Sequence, residues 1–139
     1  DSRGRTAREI NDAKPESVIQ RLDAMLANIK PKSKPIKVAV LGVTYKANVD
    51  DIRESPALRI AVKLSKRKDL KLLVVDPHGQ RLNGSMPLTP LDSAIKEAEA
   101  ILLLVDHKEF LSLDWAEIVA QKGKGRILDC KGVLSQIPL

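Results

Sequence analysis

Residues 36–56 read IKVAVLGVTYKANVDDIRESP, in which an apolar, β-branched run leads through a loop of charged side chains to a helix start. The run Ile36–Gly42, preceded by Pro35, is typical of a strand buried on both faces of a parallel sheet. Ser55 suits a helix N-cap, and Pro56 suits the first helical position, where no backbone N–H is needed. The intervening loop therefore follows a strand and precedes a helix, where open α/β folds bind anionic ligands.

The alternation of strands and helices continues toward the carboxyl end of the chain. Apolar runs predict further strands at Leu70–Val75, Ala100–Val105 and Arg126–Asp129. Helical spacing predicts helices from Pro56 to about Lys66, from Pro90 with Thr89 as N-cap, and around Leu113–Ala120; Lys131–Leu139 is expected to be an irregular tail. This order predicts an α/β fold with a Rossmann-like, doubly wound parallel sheet.

The residues before the first strand predict a helix and a linker. Apolar residues recur at helical spacing over residues 17–29, and the Pro/Lys segment after them ends the helix. Pro15 either begins this helix or kinks a longer one that includes Thr6–Asp12. A chain that opens within a charged helical pattern is expected to be a piece of a longer protein.

Composition limits the class of protein. The chain has 139 residues, 43% of them hydrophobic, which is enough for one compact domain. Its 24 Lys and Arg exceed its 18 Asp and Glu, giving a net charge of +6 that favours acidic ligands. These charges are interleaved along the chain and the aromatic content is 2%, so the stacking surfaces of nucleic-acid binders are missing from the sequence.

The single cysteine, Cys130, excludes an intrachain disulfide and indicates a reducing, cytoplasmic compartment. Neither histidine is spaced with it as a metal-ligand pair, so no metal site is predicted. The sequence contains no apolar run of membrane-spanning length, and we expect no membrane association.

The charged loop offers two cations to a ligand. Lys46 could neutralise a diphosphate as a point charge, and Arg53 could do so through its planar fork. Alternatively, both pair with the acidic residues of the loop, Asp50, Asp51 and Glu54, and only hold it together. Gly42 stands alone, so the glycine-rich fingerprint that wraps a dinucleotide pyrophosphate is missing from this loop.

Other polar residues also follow strands, and the carboxyl ends of parallel strands share one edge of a sheet. From position alone, Lys131 is interpreted as a solvated turn lysine and Cys130 as a small buried residue. His78 and His107 are predicted to be turn residues, because neither has an acid or a serine beside it in a recognisable catalytic-triad order. Asp76 is predicted to stabilise its turn.

The loop and its flanks also resemble a known family. LGVTYKANVDDIRESPA, residues 41–57, resembles the signature that opens the carboxy-terminal, UDP-binding domain of the UDP-sugar dehydrogenases. VDPH at 75–78, DHKEF at 106–110 and DCKGV at 129–133 are similar to that domain's later landmarks, in the same order. The motif DDIRESP and the lysine before Gly132 are most similar to the UDP-N-acetylmannosamine branch of the family. The UDP-glucose enzymes are the second most similar branch.

The resemblance implies a division of the chain. AREIND at 7–12 is similar to the end of the family's middle-domain connecting helix, so residues 1–30 would complete that helix. Residues 31–35 would be a linker and residues 36–139 the UDP-sugar-binding domain. Family members oxidise the sugar C6 alcohol to a carboxylate in two NAD-dependent steps, through a thioester on a cysteine. Because the resemblance places the NAD domain and that cysteine before Asp1, this fragment is expected to be inactive alone.

Roles carried over from the family fall on four residues. Tyr45, Lys46 and Lys131 would contact the UDP-sugar, and Arg53 would reach the NAD cofactor. Cys130 does not match the catalytic position, and no catalytic residue is predicted. The resemblance implies the enzyme's remaining domains as partners and a homo-oligomer for the intact enzyme.

Two alternative functions remain at this point. One is the equivalent domain of a UDP-glucose 6-dehydrogenase. The other is a free-standing Rossmann-like interaction module whose first helix docks on a partner through an apolar face, formed by Val18, Ile19, Leu22 and Leu26.

Overall fold

The computed structural model describes residues 14–31, 34–44, 55–78 and 86–136. Within these ranges the strands are β1 Ile36–Leu41, β2 Leu70–Val75, β3 Ala100–Leu103 and β4 Ile127–Asp129. The helices are α1 Pro15–Ala27, α2 Pro56–Ser65, α3 Leu91–Glu97, α4 Lys108–Leu111 and α5 Trp115–Lys122, with 3₁₀ turns at Lys124–Arg126 and Leu134–Gln136. The predicted α/β fold is confirmed.

The four strands form one parallel sheet in the order β2-β1-β3-β4. The chain moves outward from β1 to β2 and then returns across β1 to β3, so the direction of winding reverses between β1 and β3. In open α/β sheets a ligand crevice forms at this reversal, outside the carboxyl ends of the strands. The strand order therefore places the candidate site beside the residues that follow β1 and β3.

Both faces of the sheet are covered. Successive β1 side chains alternate between two apolar clusters, with Val38 and Val40 in one and Ala39 and Leu41 in the other. The first cluster is completed by α1 and α2, and the second includes residues of α3, α4 and α5. Burial on both faces explains why the strands are almost continuously apolar.

Helix α1 packs on this same domain. Pro15 is its first residue and Lys14 before it is extended, so Pro15 begins a helix. Val18, Leu22 and Leu26 are buried in the cluster that contains α2. An ion pair joins Arg67 to Asp23 of α1 at 2.7 Å. The apolar face that the interaction-module alternative would offer to a partner is thus covered by this chain.

The start of α3 differs from the prediction by one residue. Pro90 is at the N-cap and Leu91 is the first helical residue. Leu88 forms an isolated parallel bridge with Val74, and the Thr89 amide donates to the Val74 carbonyl at 2.7 Å. Thr89 is therefore used in a bridge to β2 and does not cap the helix.

The carboxyl-terminal third contains the other corrections. Strand β3 ends at Leu103 instead of Val105, because the Leu104 and Val105 amides both donate to the Leu41 carbonyl. The one-turn helix α4 was not predicted, and α5 begins two residues late because Asp114 caps it by accepting from the Glu117 amide at 3.1 Å. Strand β4 begins one residue late, after a 3₁₀ turn, and the tail predicted to be irregular contains the 3₁₀ turn Leu134–Gln136. None of the helices in the described ranges combines the length and apolar character of a membrane span.

Candidate functional site

Gly42 makes the turn at the carboxyl end of β1. Its φ is +95°, which L side chains rarely adopt, and a Cβ added there would lie 2.5 Å from Cβ of Val105. Its amide donates to the Val75 carbonyl of β2 at 2.8 Å. Glycine is therefore required on both conformational and steric grounds, and it brings the residues after β1 close to those after β3.

Asp76, directly after β2, binds the first amides of the β1 loop. Its Oδ2 accepts from the Val43 amide at 2.7 Å and the Thr44 amide at 3.0 Å, while Oδ1 accepts from the His78 amide at 2.7 Å. Burial opposes ionisation of Asp76, but hydrogen bonds from His107 and from the Val43 and His78 amides outweigh it, so its pKa lies below the ordinary value. The prediction that Asp76 stabilises its own turn is confirmed, and its second role on the β1 loop was not predicted.

His107 is not the simple turn residue that the sequence predicts. Its residue exposure is 0%, and its Nε2 lies 2.8 Å from Thr44 Oγ1 and 3.4 Å from both carboxylate oxygens of Asp76. The ring also packs against the rings of His78 and Phe110, with centroids 4.7 and 5.4 Å away. The prediction for His107 was wrong because the loops after β1, β2 and β3 meet at one edge and enclose the imidazole. We call Thr44, Asp76 and His107 the switch-point cluster.

Ser55 closes the far end of the β1 loop. Its Oγ donates to the Val43 carbonyl at 2.7 Å and accepts from the Leu58 amide at 3.2 Å. The second bond confirms Ser55 as the N-cap of α2. The first bond joins the two ends of the loop, because Val43 precedes it and Ser55 follows it.

Most of the predicted ligand-binding residues belong to that loop. Tyr45, Lys46 and Arg53 lie outside the described residues, as do the acidic residues Asp50, Asp51 and Glu54. The described part of the chain fixes where this loop leaves β1 and where it enters α2.

Lys131 lies in the turn after β4, at the same edge of the sheet. Its amide donates to Asp129 Oδ1 at 3.0 Å, and Asp129 Oδ2 accepts from the Leu134 amide at 2.8 Å. The preceding Cys130 amide donates to the Leu103 carbonyl of β3 at 3.0 Å. The half-buried Lys131 is thus held by its backbone beside the end of β3.

Cys130 is buried, as predicted. Burial raises the pKa of its thiol to about 11, and the neighbouring charge of Asp129 adds to the rise. A thiol of this kind is almost entirely protonated near neutral pH and is a poor nucleophile. Both properties match the small buried residue that its position predicts.

The geometry determines how this edge can meet an anion. A carboxylate already occupies the Val43 and Thr44 amides, so these amides cannot bind a phosphate group as backbone amides do in glycine-rich phosphate loops. These two amides are therefore closed to an anionic ligand at this edge. Among the described residues, no three His, Cys, Asp or Glu side chains are grouped to hold a metal ion.

Comparison with known proteins identifies the domain. Residues 39–136 match the model of the UDP-glucose/GDP-mannose dehydrogenase family, UDP binding domain. UDP-N-acetyl-D-mannosamine dehydrogenase of Salmonella typhi is 36% identical over 137 residues, which are 93% of this chain and 32% of the relative. The Campylobacter jejuni enzyme of the same name is 38% identical over 125 residues, 84% of this chain and 29% of the relative. NDP-N-acetyl-D-galactosaminuronic acid dehydrogenase of Ralstonia nicotianae is 35% identical over 134 residues, 94% of this chain and 30% of the relative.

The fold is also found in solved structures. UDP-N-acetyl-mannosamine dehydrogenase from S. aureus aligns with a TM-score of 0.67 and 33% identity, over 86% of this chain and 27% of that one. The chain spans about a third of the length of the curated relatives it matches. The family model and the identities of 35% or more together show that the chain belongs to the UDP-glucose/GDP-mannose dehydrogenase family and matches its UDP-binding domain.

Proposed function

We propose that this chain is the UDP-sugar-binding domain of an NAD-dependent nucleotide-sugar 6-dehydrogenase that oxidises the C6 alcohol of UDP-N-acetylmannosamine to a carboxylate. The observation that carries the proposal is the position of the β1 loop, whose two ends are joined at the reversal of the strand order. The relatives named above support an acetamido sugar over glucose, because an N-acetylated sugar appears in each of their names.

The proposal includes the organisation of the whole enzyme. Residues 1–30 are the end of the middle domain, and their helix α1 packs on the sheet; residues 31–35 form a linker and 36–139 form the UDP-sugar-binding domain. NAD is held mainly by another domain of the same enzyme, and that domain is a partner of this one. The intact enzyme is a homo-oligomer. A single buried cysteine suits the cytoplasm, where we place the enzyme.

We assign the ligand contacts to four side chains. Lys46 and Tyr45 meet the nucleotide sugar, Lys131 approaches it from the turn after β4, and Arg53 reaches NAD across the interdomain cleft. The occupied amides of Val43 and Thr44 are consistent with a role for side-chain cations, since these two amides cannot bind the diphosphate. Lys131 lies at the same end of the strands as the β1 loop, which supports its assigned contact with the nucleotide sugar.

Calorimetric titration of this chain with UDP tests the proposal. Lys46→Ala should weaken binding by about tenfold or more, the scale of one lost charge-assisted contact. Lys124→Ala is the matched control. Lys124 is exposed and lies just before β4, at the amino-terminal ends of the strands, away from the candidate site. Equal heats from the wild type and Lys46→Ala would exclude the role of Lys46, and no heat from the wild type would exclude the binding function.

Competing nucleotides refine the ligand class. UMP should bind more weakly than UDP if the cations meet the second phosphate, and GDP should not displace UDP. Displacement by GDP at equal concentration would show that the domain reads the diphosphate and not the base.

A further inference from the structure

We infer that His107 is a positioning residue for nucleotide binding, which acts by orienting Thr44 at the base of the β1 loop and does not touch the ligand. The inference rests on the proposed function. It is carried by the buried contact between the two side chains, since Nε2 of His107 lies 2.8 Å from Oγ1 of Thr44.

The chemistry of the cluster determines the direction of that hydrogen bond. An ionised Asp76 can only accept, and both of its oxygens lie 3.4 Å from Nε2 of His107. A carboxylate that faces Nε2 favours the tautomer of the ring that carries its hydrogen on Nε2. Nε2–H therefore donates to Oγ1 of Thr44, while the carboxylate stabilises the ring in this orientation.

Thr44 is consequently held through both its backbone and its side chain. Its amide donates to Asp76, 32 positions away, and its hydroxyl accepts from His107, 63 positions away. These partners come from the loops after β2 and β3, so two loops fix a single residue of a third. This pair of bonds fixes the position of Thr44, and Tyr45, to which a ligand contact is assigned, is the next residue in the sequence.

The burial of the cluster distinguishes orientation from simple packing. Thr44 and His107 are 0% exposed, and the side chain of Asp76 is also 0% exposed. Apolar side chains could fill the same space without the cost of removing polar groups from water. Hydrogen bonds constrain the orientation of the groups that they join, which apolar contacts do not. A residue at the start of a ligand-binding loop must be held in one orientation if the loop is to place its side chains accurately.

The test is calorimetric titration with UDP across two pairs of variants. Thr44→Val keeps the shape but removes the acceptor, whereas Thr44→Ser keeps it; His107→Phe removes the donor, whereas His107→Gln offers an amide N–H. We expect the first member of each pair to weaken binding about tenfold, equal to one hydrogen bond of about 1.4 kcal/mol. The second member should stay within about threefold of the wild type. If His107→Phe does not fold, the Thr44 pair decides.

A core variant separates positioning from stability. Ile118→Ala removes buried side-chain volume from α5, so it should lower the melting temperature and leave UDP affinity unchanged while the protein is folded. If the wild type binds UDP and Thr44→Val binds it with the same affinity, the inference is overturned and the proposed function stays intact. Equal weakening by Thr44→Val, Thr44→Ser and Ile118→Ala would also overturn it. No binding by the wild type would overturn both, which identifies a failure of the proposed function itself.

Discussion

Oγ1 of Thr44 lies 2.8 Å from Nε2 of His107, and this contact joins the loops after β1 and β3 across the reversal of the strand order. In many α/β proteins the equivalent crevice receives a phosphate group of the ligand on free backbone amides. Here Asp76 occupies those of Val43 and Thr44. The crevice therefore has a floor of buried side chains.

Gly42→Ala should destabilise the domain more than Gly123→Ala. Both glycines have nearly the same φ, +95° and +94°, but a Cβ at Gly123 meets nothing within 4 Å, whereas one at Gly42 meets Val105. We expect about 1–3 kcal/mol of backbone strain at either position and about 1–3 kcal/mol more from overpacking at Gly42. Urea denaturation measures both, and equal losses would contradict the steric role of Val105.

Asp76→Asn should destabilise the domain at neutral pH, and the deficit should shrink in acid. Because the pKa of Asp76 is lower in the folded protein, its ionisation stabilises the fold above the unfolded pKa, about 3.9. This stabilisation is lost as the pH falls through the folded pKa. We expect a deficit of about 1–3 kcal/mol at pH 7, which corresponds to a carboxylate with several buried donors.

Urea midpoints measured between pH 7 and pH 3 check this prediction. Asp92→Asn, at an exposed position early in α3, is the control and should change the midpoint little at either pH. A deficit in Asp76→Asn that stays constant down to pH 3 would show that its charge is not the stabilising feature.

Leu22→Ala should lower the free energy of unfolding by about 2–5 kcal/mol, the range for a fully buried leucine. Leu22 is 0% exposed and lies in the same cluster as the sheet and α2. Gln20→Ala, on the exposed face of α1, should change the free energy by less than about 0.5 kcal/mol. A small effect of Leu22→Ala would revive the alternative in which this face serves a separate partner.

Cys130 should react slowly with a disulfide reagent at pH 8. With a pKa of about 11, roughly a thousandth of the thiol is ionised at that pH, and burial restricts access further. Ser135→Cys in a Cys130→Ala background places a thiol at an exposed position and should react at the rate of an ordinary cysteine. Unfolding in urea exposes Cys130, so the wild type should then react at that rate. Rapid reaction of the native protein would contradict the burial of Cys130.

The sheet could be predicted because parallel strands buried on both faces leave continuous apolar runs. Strand β2 was predicted with its exact ends, Leu70 and Val75, and the start of β1 at Ile36 was also predicted. Helix α4 could not be found, since four residues make one turn and show no periodicity. Its absence from the prediction left His107 without a structural context.

The cluster itself was only partly visible in the sequence. That polar residues after the strands share an edge was predicted, and Asp76 and His107 do meet there. Their contacts with Thr44 depend on the packing of three loops, which no local pattern encodes. The roles of Tyr45, Lys46, Arg53 and Lys131 came from family resemblance, because charge and spacing alone left the loop's cations undecided.

The bridge between Val74 and Leu88 has a consequence for strand pairing between molecules. Strand β2 is at the edge of the sheet, and such a strand can pair with a second molecule through its unused backbone groups. The Thr89 amide binds the Val74 carbonyl, and the exposed Lys71 places a charge on the remaining edge. The returning chain thus covers part of the β2 edge, which should disfavour pairing of this strand with a second molecule.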